Sequence, residues 1–196
     1  MDRIVDSSNI PLNKAYIDEL FSELNKEFRR KMKKISRNIK VDLYVVGGAC
    51  VVAMLGSRPS TTDIDAMWVI GSDMREAINA VADRNGLSHN WCNCDFKRTK
   101  SFTNAIITNS KVYRTYDRLV VWMVKPDLLL AMKLVSFRKH KVTDMYDCIN
   151  LINKAKAEGV AVSDIYLYNL VNKFYGDPNI ILSDSAKDFI SKFKKG

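Results

Sequence analysis

The segment from Val41 to Asp65 limits what this chain can fold into more than any other. Val41-Asp-Leu-Tyr-Val-Val46 is short and rich in β-branched and aromatic residues, which reads as a strand. Gly47-Gly48 follows at once, and then Ala49 to Leu55, small and apolar, closed by Gly56: a tight turn and a short helix. A polar loop, Ser57-Arg-Pro-Ser-Thr-Thr62, leads into Asp63-Ile-Asp-Ala-Met-Trp-Val-Ile70, where Ile64, Ala66 and Trp68 alternate with Asp65, Met67 and Val69. That alternation predicts a second strand beginning near Asp63.

Two glycines where a strand hands over to a helix let backbone amides approach phosphate oxygens with no Cβ in the way, at the positive end of the helix dipole. Alone, such a pair is better explained by an ordinary tight turn. Asp63 and Asp65 add a second feature. Two positions apart on a strand, their side chains lean the same way, and their oxygens can close on one or two hard cations. Two neighbouring carboxylates repel each other, and a divalent metal that also holds a triphosphate relieves that repulsion; the plainer alternative is a solvated strand end.

Elsewhere the pattern is mostly helical. From Leu12 to Ile39, Ile17, Leu20, Phe21, Leu24, Phe28, Met32, Ile35 and Ile39 recur every three or four positions, which predicts one long amphipathic helix. Its other face carries Lys26, Arg30, Lys33 and Arg37, and from Lys26 to Lys40 eight Lys or Arg face the single acid Glu27. The stripe is either a solvated face or a surface that faces RNA phosphates or a nucleotide. Ser72 opens a predicted helix to about Asn85, with Gly86 beyond its end. Leu87 to Phe102 has no clean period, while Ala105–Thr108, Val112–Tyr116 and Leu119–Val124 read as short strands, a hairpin among them, that complete a mixed sheet. Pro126 opens an apolar helix from Asp127 to about Arg138, and three more helices begin near Thr143, Ser163 and Ser183. The expected organisation is a single α+β domain, residues 1–196, with a sheet-bearing lobe to about residue 125, a helical lobe from about 126, and a cleft between them as the natural site.

Lys133 sits inside Leu128–Phe137, an otherwise nearly all-apolar helix where an unpaired ammonium is costly to bury. It needs an anion. Asp144 and Asp147, three apart on one helix face, are candidates, and so are nucleotide phosphates. His89 and His140, the only histidines, are too isolated for a triad or a zinc site. Cys50, Cys92, Cys94 and Cys148 have no zinc-ribbon spacing and read as reduced thiols, and Trp91 reads as core.

Residues 45 to 65, Val-Val-Gly-Gly-Ala-Cys-Val-Val-Ala-Met-Leu-Gly-Ser-Arg-Pro-Ser-Thr-Thr-Asp-Ile-Asp, resemble the signature of nucleotidyltransferase-fold proteins related to DNA polymerase β. Within them the segment is most similar to the AbiEii-type toxin nucleotidyltransferases and their uncharacterised bacterial relatives. Residues 128 to 147, Leu-Leu-Leu-Ala-Met-Lys-Leu-Val-Ser-Phe-Arg-Lys-His-Lys-Val-Thr-Asp-Met-Tyr-Asp, resemble a second patch of that pattern, with Lys133 and Arg138 followed by acids that open the next helix. The resemblance implies a nucleotidyltransferase fold and a site in which Asp63 and Asp65 bind magnesium or manganese. It also implies that Gly47, Gly48, Arg58, Thr62 and Arg138 meet the nucleotide, and that Lys133 with Asp144 or Asp147 joins the catalytic set. Many polymerase β-type enzymes place a third metal-binding carboxylate on a later strand; here Asp95 and Asp117 are the residues available.

A formal charge of +9 favours a polyanionic partner. No apolar run approaches bilayer length and the N-terminus lacks a signal-peptide pattern, so the expectation is a cytoplasmic protein with no membrane partner. The function expected is transfer of a nucleoside monophosphate from a nucleoside triphosphate to a hydroxyl of RNA, with transfer RNA as one possible acceptor, in a toxin–antitoxin or phage-defence setting with a cognate antitoxin protein. The rival expectations are a catalytically silent protein of the same fold that binds nucleotide, RNA or a partner, and a basic nucleic-acid-binding module built on the first helix.

Overall fold

A computed structural model describes residues 10–31, 40–69 and 72–194. The C-terminal part of the expected first helix, with Lys33 and Arg37, lies outside the described residues. The chain divides into two compact units: one runs to Cys94 and takes in Lys111–Met123, the other holds Asp95–Ser110 and the chain from Val124 onward.

The first unit opens with α1 (Lys14–Lys31), which buries Ile17, Leu20, Phe21, Leu24 and Phe28 as the helical period requires. Strand β1 (Val41–Val45) runs into α2 (Gly47–Cys50), continued by a π-helical segment, Val51–Leu55, that ends at Gly56 in the left-handed region. Then come β2 (Ile64–Met67), α3 (Ser72–Asn85) and the two-residue β3 (Cys92–Asn93). Gly86, with φ of 64°, stops α3 at the expected place.

Strands β4 (Ser110–Thr115) and β5 (Leu119–Val124) complete a five-stranded mixed sheet of order β3-β2-β1-β5-β4. β1 is antiparallel to β2 and parallel to β5, and β2 is parallel to β3. The fold class is α+β, a mixed sheet flanked by helices, as expected.

Helix α1 is tied to α3 by polar contacts as well as by packing. Glu27, 7% exposed, accepts from Arg84 at 2.5 Å and Arg30 at 3.0 Å, and Lys31 pairs with Glu76. Arg30 and Lys31, two members of the basic stripe, therefore serve the fold as well as the surface; Lys26 is exposed.

The second unit is helical. After a 3-10 turn, Asp95–Arg98, comes α4 (Ala105–Thr108), where a strand was expected. The side chains decide it: Asn109 Nδ2 and Ser110 Oγ donate to the carbonyls of Ala105 and Ile106, absorbing helix-end acceptors that a strand would give to a neighbour. Helices α5 (Pro126–Val135), α6 (Val142–Ala157) and α7 (Asp164–Tyr175) follow, then the short α8 (Pro178–Ile181) and α9 (Asp184–Ser191). Ser163 and Ser183 cap α7 and α9, accepting from the amides of Tyr166 and Ala186. Among the described residues no helix is long and apolar enough to cross a membrane.

Candidate functional site

The glycine turn is held by the antiparallel pairing of β1 with β2. Val45 lies opposite Ala66, and one residue further Val46 N–H donates to the Asp65 carbonyl at 2.9 Å, which brings Asp65 to the mouth of the turn. Gly47 has a φ of 67°, a conformation that side chains resist. A Cβ there would stand 2.7 Å from Asp65 Oδ2, and a Cβ on Gly48 would stand 2.7 Å from Thr61 Oγ1 and 3.1 Å from an Arg58 guanidinium nitrogen. Gly47 is favoured by its backbone conformation and has a carboxylate against it; at Gly48 an added Cβ would press on a hydroxyl and a guanidinium.

The loop supplying Thr61 and Arg58 is anchored. Thr61 N–H donates to the Leu12 carbonyl at 3.0 Å, and Leu12 N–H donates to the Thr61 carbonyl at 2.7 Å. Arg58 Nε donates to the Ser60 carbonyl at 2.8 Å. Thr62, the threonine singled out from the sequence, is exposed; its neighbour Thr61, 4% exposed, is the one at the turn. The two-residue rhythm Thr61, Asp63, Asp65 was the available signal, since alternate positions of an extended segment lean to one side.

Asp63 is half-buried just before β2. The fields of Asp65 and Asp63 both reach the Cys92 thiol, whose strand lies beside β2 with Cys92 opposite Ile64 and Asn93 opposite Asp65. Burial pushes that thiol far up, the two carboxylates add to the effect, and Arg75 opposes it. Cys92 is a neutral core residue, and all four cysteines are free. Trp91 is core as well, its indole donating to the Ile78 carbonyl at 3.0 Å. His89 and His140 are exposed.

The residues of the second patch form their own cluster in the second unit. Lys133 Nζ on α5 donates to Asp147 Oδ2 on α6 at 2.7 Å, and Arg138 Nε, in the connection between them, donates to Asp144 Oδ2 at 2.8 Å. Both acids are buried, Asp144 to 3% and Asp147 to 1% exposure. Of the anions considered for Lys133, Asp147 is the one the fold provides. Arg138 is raised above the usual guanidinium range by its hydrogen bond to Asp144. The adjacent Cys148 thiol is pushed up to about 12, chiefly by burial, with Lys133 acting the other way.

Asp95 and Asp117 are both exposed, Asp95 on the 3-10 turn of the second unit and Asp117 between β4 and β5, 3.8 Å from the Arg118 guanidinium. Among the described residues no group of three or more His, Cys, Asp or Glu side chains is placed to hold a metal ion. No family model, curated protein or solved structure gives a significant match to this chain.

Proposed function

We propose that the turn of Gly47 and Gly48, with Asp63, Asp65, Thr61 and Arg58, binds the triphosphate of a nucleotide with magnesium or manganese, and that the protein transfers the nucleoside monophosphate to a hydroxyl acceptor. The observation that carries this reading is the close approach of Asp65 Oδ2 to the Cβ position of Gly47, with Thr61 and Arg58 at Gly48. A carboxylate, a hydroxyl and a guanidinium converge on backbone from which side chains are excluded, and each suits one part of a metal–triphosphate ligand.

The donor set fits magnesium. That ion is commonly held by one or two carboxylates together with substrate phosphates, so a pair of aspartates suffices when the nucleotide brings the remaining oxygens. Bound there, the ion would neutralise charge developing on the phosphates. Arg58 offsets negative charge on the same phosphates, and the Gly47–Gly48 backbone positions them. The acceptor oxygen forms a bond to the α-phosphorus, the bond from that phosphorus to the bridging oxygen breaks, pyrophosphate leaves, and the hydroxyl proton passes to water. Positioning and electrostatics supply the catalysis. The net charge of +9 favours RNA as the acceptor; a toxin–antitoxin or phage-defence setting rests on the family resemblance alone.

The test incubates the protein with each labelled triphosphate, magnesium and total RNA, beside the Asp63→Asn, Asp65→Asn double variant. Label transfer by the wild type and its loss in the variant is the expected result, and equal transfer by both overturns the site. The two-carboxylate set favours one other reading, a protein that binds nucleotide without turnover. Magnesium-dependent nucleotide retention with no transfer by either form would establish it.

A further inference from the structure

The two faces of the sheet in the first unit differ. Side chains alternate along a strand, so register assigns each to a face. On one face Leu43, Val45, Ile64, Ala66, Val121 and Met123 are completely buried. The other face carries Asp42, Tyr44, Asp65 and Trp122, all exposed or half-exposed, together with Met67 and Asn93, which are buried. Tyr44 lies opposite Met67 on β2 and opposite Trp122 on β5, so one row crosses three strands. The rings of Tyr44 and Trp122 are nearly parallel, 15° apart, with centroids separated by 5.8 Å. The Trp122 indole N–H donates to Asp42 Oδ1 at 2.7 Å, which fixes the ring and satisfies its one polar atom.

This row stands just behind the glycine turn. Val46, which bonds to the Asp65 carbonyl, follows β1 two residues beyond Tyr44, roughly 7 Å along the extended chain. Tyr44, Asp65 and Trp122 therefore share a face, with the aromatic pair one pleat away from the residues proposed to hold phosphates. That is the order in which a nucleotide presents its parts: phosphates, ribose, base.

We propose that Tyr44 and Trp122 are a stacking platform for the base of the nucleoside triphosphate whose phosphates lie at Gly47 and Gly48; this rests on the reading of that turn given above. Two parallel rings half-exposed on a sheet face leave apolar area in water that a flat base removes, and a platform of this kind accepts any base because every base has a π face. The nucleotide site is accordingly tolerant, binding purines and pyrimidines alike, with purines tighter because they cover more of the rings. A cross-strand aromatic pair that merely stabilises the sheet would show no preference for nucleotide over bare phosphate chains.

Titration calorimetry with inorganic tripolyphosphate, ATP and UTP, each with magnesium, separates these cases. Both nucleotides are expected to bind the wild-type protein roughly tenfold or more tighter than tripolyphosphate. The Tyr44→Leu, Trp122→Leu variant should bind tripolyphosphate as the wild type does and lose the nucleotide advantage, while Tyr44→Phe, Trp122→Phe keeps it. Should the leucine variant fail to fold, the wild-type indole emission decides: ATP quenches it and tripolyphosphate does not. Equal affinity for ATP and tripolyphosphate, or an advantage surviving in a folded leucine variant, overturns the platform and leaves the phosphate turn standing. An aromatic effect seen only with a single-stranded oligoribonucleotide assigns the rings to the acceptor and overturns the proposal too. If neither tripolyphosphate nor nucleotide binds, the reading of the turn falls, and the platform with it.

Discussion

The glycine–aspartate turn of the first unit and the Lys133–Asp147 cluster of the second both bring charge onto helices and strands, by opposite means. At the turn a carboxylate, a hydroxyl and a guanidinium close on the backbone of two glycines. In the second cluster a buried lysine meets a buried aspartate at 2.7 Å, with 12% and 2% of the side chains exposed, and a second pair, Arg138–Asp144, lies beside it. The first arrangement sets polar side-chain ends against glycine backbone; the second matches charge with charge in the interior. Matched buried charge is explained by the fold, whereas the polar groups gathered at the glycine turn are what the proposed ligand site rests on.

The largest expected effect falls on the second cluster. Lys133→Met takes the ammonium away from the buried Asp147 carboxylate and should cost about 3 to 5 kcal/mol in denaturant unfolding, and Lys133→Met with Asp147→Leu should recover most of it. A cost under about 1 kcal/mol would break the contrast. Next is the turn. Gly47→Ala meets both a positive φ and the Asp65 carboxylate and should cost about 2 to 3 kcal/mol, while Gly86→Ala, with a φ of 64° but nothing within 4 Å of its Cβ position, should cost about 1 kcal/mol. If the two alanine variants unfold alike, Asp65 is not confining the turn.

Cys148 gives a smaller, pH-dependent effect. Its thiol is raised from 9.0 to about 12 in the folded chain, so the folded state holds the proton more tightly than the unfolded state does. The associated stability is fully present below about pH 9 and declines as pH rises toward 12, and Cys148→Ala should flatten that decline in paired unfolding curves. The smallest effect is expected at Arg30, whose side chain is 71% exposed beside Glu27. Arg30→Ala should change stability by no more than about 0.5 kcal/mol, less in high salt.

Much of the fold is legible in the sequence because punctuation marks it. Pro126, Ser163, Ser183 and Gly86 set helix ends where the structure has them, β-rich composition finds β1 and β5, and alternation finds β2. Ala105–Thr108 misleads because its two isoleucines and threonine are β-branched, while the hydrogen bonds that make it helical come from Asn109 and Ser110, beyond the segment. Strand β3 escapes notice because two residues carry no period.

The sites divide likewise. That Lys133 needs an anion follows from its apolar neighbours, but the choice between Asp144 and Asp147 depends on how the connection around Arg138 turns, and Arg138 takes Asp144 for itself. The approach of Asp65 to Gly47 depends on antiparallel register, which neither segment encodes alone. Thr61 is legible in a reading by twos back from Asp65 through Asp63.

The parallel pairing of β1 with β5 bears on how the chain is made. Val41 hydrogen-bonds its way along a strand that begins at Leu119, and the whole of Asp95–Ser110, which belongs to the other unit, is synthesised in between. A nascent chain that has just left the ribosome with its glycine bend complete still lacks the neighbour that seals the bend's own strand. Contacts of such sequence separation form slowly, so β1 would gain its parallel neighbour well after its antiparallel pairing with β2 has closed the glycine turn.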